Sequence, residues 1–230
     1  MGALEMATEE IRGSGSIKNV FVEDVGRYDK WFDSRKGRLI FEMELACFRA
    51  LMAGAARPWL EVGVGTGRFA SALGADEGVD ASDAALLYAA RRGIDVRLGR
   101  AEKLPYPSRR FGAVLMAFTL CFLDDPERAF LECGRVLKKD ARAVVGLLPR
   151  DGPWGRFYST RGAKGHRFYS RAVFRSPRQV SELAESAGFH PEGGMSGLFE
   201  SPQGVGESFA PPRQGVFGDA GFVAMRFKRI

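Results

Sequence analysis

A chain of 230 residues that is 45% apolar and 27% charged has the balance of a single globular domain, which excludes an intrinsically disordered protein. Its three cysteines, Cys47, Cys121 and Cys133, cannot pair completely and lie far apart, so a secreted disulfide framework is excluded in favour of a reducing compartment, the cytoplasm. The formal charge of +6 is mild for this length and bears on solubility, and no apolar run approaches the roughly 18–20 residues that cross a bilayer.

Residues 1–18 are polar and Gly/Ser-rich, lack the apolar centre of a signal peptide and are expected to be flexible. A short aromatic stretch follows, with Phe21, Tyr28, Trp31 and Phe32. From Gly37 to Met52 apolar residues recur at helical spacing, and Gly54 and Pro58 end that helix. Trp59-Leu60-Glu61-Val62 reads as a first buried strand, Arg68 to Leu73 as a helix and Val79-Asp80 as the end of a second strand. Ser82 suits the cap of a helix through Arg92. Ile94 to Leu98, Phe111 to Phe118 and Ala143 to Leu148 give three further strands, with a helix from Asp125-Pro126 to Leu137. Strands alternating with helices imply a parallel sheet covered on both faces.

Beyond Leu148 the pattern changes. Residues 150–175 read as an irregular insertion, rich in arginine and interleaved with aromatics. Ser176-Pro177 opens a helix that stops at Gly188. Residues 191–218 read as a Gly/Pro-rich loop, and Gly221 to Phe227 as a terminal strand. The expected whole is one α/β domain over residues 19–230. It is a doubly wound, seven-stranded, mostly parallel sheet with helices on both faces and an antiparallel terminal strand.

The glycine loop carries the most information. In Glu61-Val62-Gly63-Val64-Gly65-Thr66-Gly67 three glycines lie between a strand and a helix, where they let the backbone turn sharply and approach a ligand. Nicotinamide-binding folds use G-x-G-x-x-G, whose sixth position wants a small residue. Here that position is Arg68, which counts against a hydride-transfer enzyme, and no G-K-[ST] ending makes it a P-loop.

The chain resembles class I S-adenosylmethionine-dependent methyltransferases in several motifs. They are E-V-G-V-G-T-G at 61–67, Val79-Asp80-Ala81-Ser82 with Asp80 19 positions after Glu61, and Ala101-Glu102-Lys103-Leu104-Pro105-Tyr106-Pro107. Phe122-Leu123-Asp124-Asp125-Pro126 and Leu137-Lys138-Lys139 extend the likeness, which covers roughly residues 20–190. The resemblance implies S-adenosyl-L-methionine as cofactor, with S-adenosyl-L-homocysteine as product. It implies that Glu61, Gly63, Gly65 and Gly67 cup the methionine part and that Asp80, with Ala81 beside it, accepts from the ribose hydroxyls. Ala101 and Glu102 would lie along the adenine and Thr119 near the methionine end. Tyr28, in Tyr28-Asp29-Lys30-Trp31-Phe32, looks like an aromatic lid segment. Two positions depart from relatives: Arg100 stands where an Asp is usual, and Gly112 follows Phe111 where relatives read Phe-Asp.

Such a reaction mainly requires alignment of nucleophile and methyl group, and a general base only when the nucleophile arrives protonated. His166, Tyr28 and Tyr158 are the candidates for the catalytic side, with Tyr169 beside them in the insertion. With only His166 and His190, no metal-ligand cluster is expected. A small-molecule methyl acceptor is the leading expectation. The alternatives are a nucleic acid methyltransferase, which only the basic insertion favours and for which no recognition motif is found, and a non-catalytic binder of the cofactor. The methylated atom (amine, oxygen, sulfur or carbon) and the oligomeric state are left open.

Overall fold

The computed structural model describes residues 18–166, 169–202 and 210–230, with side chains from residue 25 onward. Two helices come first, α1 (Lys18–Trp31) and α2 (Arg35–Met52), the second capped by the Ser34 side chain, which accepts from the Gly37 N–H. The alternating core follows: β1 (Trp59–Val62), α3 (Arg68–Leu73), β2 (Glu77–Asp80), α4 (Asp83–Arg91), β3 (Asp95–Leu98) and β4 (Phe111–Ala117). Then come α5 (Pro126–Val136), β5 (Leu137–Leu147), α6 (Pro153–Ala163), α7 (Pro177–Ser186), β6 (Phe189–Gly197), β7 (Arg213–Gln214) and β8 (Phe222–Arg229). As expected, Ser82 caps α4 by accepting from the Ala85 N–H, and Ser176 closes a capping box with Gln179 at the start of α7.

One sheet runs β3-β2-β1-β4-β5-β8-β6-β7. β1 to β5 pair in parallel, whereas β8 is antiparallel to β5 and to β6. Eight strands stand where seven were expected. The extra one is the two-residue β7, which pairs with β6 in the stretch expected to be loop. β6 likewise claims residues 191–197 of that expected loop: Pro191 and Gly193 are absorbed by a register shift against β8. The expected irregular insertion contains a helix, α6, and a short 3₁₀ turn at Tyr169–Arg171. Of the flexible segment expected at 1–18, all but Lys18 lies outside the described residues, as does the stretch 203–209.

Side-chain alternation divides the core between the two faces. On β4, Ala113 and Leu115 pack with Phe48, Phe69, Trp154 and Phe222 under α2 and α3. Val114 and Met116 point the other way, to Phe130, Cys133, Val180 and Ala184 of α5 and α7. Every one of these strand positions is nearly fully buried, the mark of a parallel strand covered twice. Buried charge is paired where it serves the loops: Glu132 accepts from the Leu104 N–H at 2.8 Å while Arg135 donates to the Leu104 and Tyr106 carbonyls. The Leu104-Pro105-Tyr106 turn is thereby fixed to α5.

Candidate active site

β1 has β2 on one side and β4 on the other, so the chain reverses direction across the sheet at this point. The carboxyl ends of those strands open a crevice, the usual ligand site of open α/β sheets. The glycine loop leaves β1 there. Gly63 and Gly65 have positive φ, 72° and 52°. A Cβ on Gly63 would stand 2.3 Å from Thr119 Oγ1, whereas one on Gly65 would meet no atom within 4 Å. The first glycine is packed and the second faces open space. Asp80 ties the loop down: one carboxylate oxygen accepts from the Gly65 N–H at 2.8 Å and the other from the Ser82 N–H at 2.9 Å. Burial raises its pKa, and these backbone donors oppose that rise. Thr119 spans β1 and β4 by donating to the Val62 carbonyl at 2.8 Å.

A cavity of about 190 Å³ lies in this crevice. It brings together Tyr28, Gly63, Gly65, Asp80, Ala81, Ala101, Glu102 and Thr119 of the residues expected at the site. Gly67 is not on its wall; the close packing there is against Ala89 of α4. Glu61 is also off the wall, 2% exposed, and among the described residues its Oε2 finds no hydrogen-bond partner. Burial pushes the Glu61 carboxyl well above its usual range. Arg100, the departure from relatives, lines the cavity and is held by Asp124 at 2.7 Å and Glu102 at 3.3 Å.

A second cavity, about 340 Å³, adjoins the first through a shared wall of Tyr28, Phe118 and Phe122. Tyr158, His166, Tyr169 and Trp154 line it. Tyr158 and Tyr169 stack with centroids 4.1 Å apart, and His166 lies 4.9 Å from Tyr169. Burial, then the Arg161 charge, lowers the His166 pKa, so its ring is neutral at pH 7. Burial, followed by the charges of Glu44, Cys121, Glu61 and Tyr158, raises that of Tyr28. Cys121 also lines this cavity, but burial pushes its thiol up to about 12, so it stays protonated. Phe118 holds a left-handed backbone (φ 60°), uncommon for a bulky residue.

Two features escaped the sequence reading. The first is a cluster over the glycine loop, in which Asp29 of α1 pairs with both Arg68 and Arg92 at 2.9 Å, and Arg68 also pairs with Asp33. Arg68, which disqualified a nicotinamide loop, thus fastens α1 to α3. The second is Glu44, a buried acid on the wall of the second cavity. A signal existed for it: position 44 lies four residues from both Ile40 and Phe48, inside the buried stripe of α2.

A family model described as a methyltransferase domain matches residues 60–145. An uncharacterised protein of Mycobacterium tuberculosis is 42% identical over 202 residues, spanning 88% of this chain and 71% of that one. A solved Thermotoga maritima structure, described as a SAM-dependent methyltransferase and possible histamine N-methyltransferase, is 35% identical with a TM-score of 0.85. It covers 92% of this chain and 98% of its own. The chain belongs to the S-adenosylmethionine-dependent methyltransferases. The methyltransferase is therefore an enzyme whose cofactor is S-adenosylmethionine. A demethylmenaquinone methyltransferase of Thermotoga maritima is 31% identical over 149 residues, spanning 56% of this methyltransferase and 64% of the relative. Among the described residues, no helix is long and apolar enough to cross a membrane and no cluster of metal-ligating residues exists.

Proposed function

We propose that the enzyme methylates a small molecule held in the second cavity, and that it works in the cytoplasm. The observation that carries this reading is the shared wall: the aromatic cavity opens beside the glycine-loop cavity across Tyr28, Phe118 and Phe122. Its volume of about 340 Å³ falls within the range of small-ligand sites, about 300–1,000 Å³. The two Thermotoga relatives, a possible histamine N-methyltransferase and a demethylmenaquinone methyltransferase, also point to small acceptors.

The residues of the first cavity fit the cofactor. Gly65 leaves its inner face clear, and the Asp80 carboxylate keeps acceptor capacity to spare after its backbone donors Gly65, Ser82 and Ala81. Glu61, off the cavity wall and biased by burial towards its neutral form, adds no contact to that fit. When bound, the cofactor supplies an electrophilic methyl group. Gly63, Gly65 and Thr119 would hold its amino-acid end and Asp80 and Ala81 its ribose, with Ala101 and Glu102 beside the adenine. Tyr28, Phe118 and Phe122 would exclude water between the two cavities. His166, neutral and across the second cavity, and Tyr158 are the groups available to take a proton or orient the acceptor.

Calorimetric titration with S-adenosylmethionine and S-adenosylhomocysteine tests the first half. Asp80→Ala should weaken both ligands by about 1.5–3 kcal/mol, roughly 10–100-fold, the worth of hydrogen bonds to a charged group. Unchanged affinity would remove Asp80 from the site. Turnover of small acceptors that is insensitive to added RNA or DNA supports the second half, and activity on nucleic acid alone would overturn it.

A further inference from the structure

Glu44 sits on the buried face of α2, between Ile40 and Phe48, and is 5% exposed. That small exposure opens into the second cavity, whose wall it shares with Tyr28, Trp31, Phe32, Trp154 and Tyr158. Among the described residues no group donates a hydrogen bond to its carboxylate and no cation pairs with it. Three other buried acids are tied to arginines, Glu77 to Arg110, Glu132 to Arg135 and Asp29 to Arg68 and Arg92; Glu61, which lines neither cavity, is paired with none among the described residues. An unpartnered carboxylate in an apolar wall costs stability that a leucine would not, unless a partner arrives from outside.

Three arginines also line the cavity, and none answers Glu44. Arg175 donates to the Leu120 and Val173 carbonyls, Arg161 lies over the Phe157 ring, and Arg27 is exposed. Aromatic residues line the same cavity, and a cation over a ring face is attracted to it. We infer that the methyl acceptor carries an amine on an apolar body, and that Glu44 anchors it as the cavity's anionic group. This rests on the reading of the second cavity as the acceptor site. Burial, which raises the Glu44 pKa well above the carboxylate range, makes the empty cavity favour the neutral acid, and an entering ammonium reverses that preference.

The test uses the full chain saturated with S-adenosylhomocysteine, titrated with 2-phenylethylamine, tryptamine and histamine and with their matched alcohols and carboxylates. In the wild type at least one amine should bind tenfold or more tightly than its alcohol. In Glu44→Gln that preference should vanish while S-adenosylhomocysteine affinity holds. Glu44→Leu supplies an independent readout that needs no ligand: removing an unpaired buried acid should raise the melting temperature. Equal binding of amine and alcohol, tighter binding of the carboxylates, a preference that survives Glu44→Gln, or a destabilised Glu44→Leu each overturns the role of Glu44. The first three leave the acceptor cavity standing. Failure of every probe, charged or neutral, overturns the cavity reading together with the inference.

Discussion

Asp29 is the point at which the N-terminal helix is fastened to the glycine loop, and Asp29→Asn tests that fastening. The wild-type carboxylate meets Arg68 with both oxygens at 2.9 Å and Arg92 at 2.9 and 3.1 Å. Arg92 in turn donates to the Thr66 carbonyl at 2.7 Å, so the network ends on the glycine loop itself. Burial alone would raise the Asp29 pKa; hydrogen bonds from Arg68, Thr66 and Arg92 override it and hold the carboxyl down to about 2 from 3.8. At about 1.4 kcal/mol per unit that shift corresponds to roughly 2 kcal/mol of stability, and the side chain is only 10% exposed, so solvent screening removes little of it. The asparagine keeps the shape but loses the charge and one acceptor oxygen. Urea unfolding at pH 7 should show a loss of about 2 kcal/mol. Because the folded pKa is lowered, the stabilisation is complete above about pH 4 and is lost as pH falls towards 2. The gap between wild type and variant should therefore close over that window. A gap below about 0.5 kcal/mol at pH 7, or one that widens in acid, would refute the account.

Two other substitutions separate packing from ligand contact. Gly63→Ala puts a methyl group into Thr119 at a positive φ, and should lower stability by about 2–3 kcal/mol in urea unfolding as well as weaken S-adenosylhomocysteine. Gly65→Ala meets no protein atom, so it should cost only about 1 kcal/mol of stability while weakening S-adenosylhomocysteine at least tenfold by calorimetry. Equal stability losses in the two would contradict the packed-and-open distinction. Phe48→Ala removes a fully buried ring that meets Phe69 and Phe222 edge-on at 5.3 and 5.5 Å; a loss of about 3–5 kcal/mol is expected, and one below 1 kcal/mol would mean that the face under α2 and α3 is not packed as described.

The parallel half of the sheet was legible because local text and tertiary role agree there. Apolar runs end at a glycine loop or a capping serine, and each signal spans a few residues. The second half was harder for reasons that belong to particular residues. His190-Pro191-Glu192-Gly193-Gly194 carries every mark of a loop, yet β8 offers a full ladder of partners and a bulge absorbs the proline. In α6 the glycines hide a helix: Gly162 has no room for a side chain because the Tyr169 carbonyl would lie 2.4 Å from its Cβ. Gly63, Gly65 and Asp80, which line the first cavity, could be named because the strand–loop–helix text that marks them is local. Asp29, Arg68 and Arg92 could not, since their contact spans 63 positions and nothing local marks it.

Tyr28, Phe118 and Phe122 line both cavities, so on the proposed reading, cofactor in one and acceptor in the other, the two ligands share a wall through which each is expected to act on the other. Whatever the cofactor does to the set of those three rings alters the space left to the acceptor, and the acceptor acts back through the same rings. The coupling is reciprocal by linkage: the factor by which bound S-adenosylhomocysteine changes acceptor affinity equals the factor by which the acceptor changes that of S-adenosylhomocysteine. On that reading product inhibition is a property of the pair of ligands, and its strength is expected to vary from one acceptor to the next.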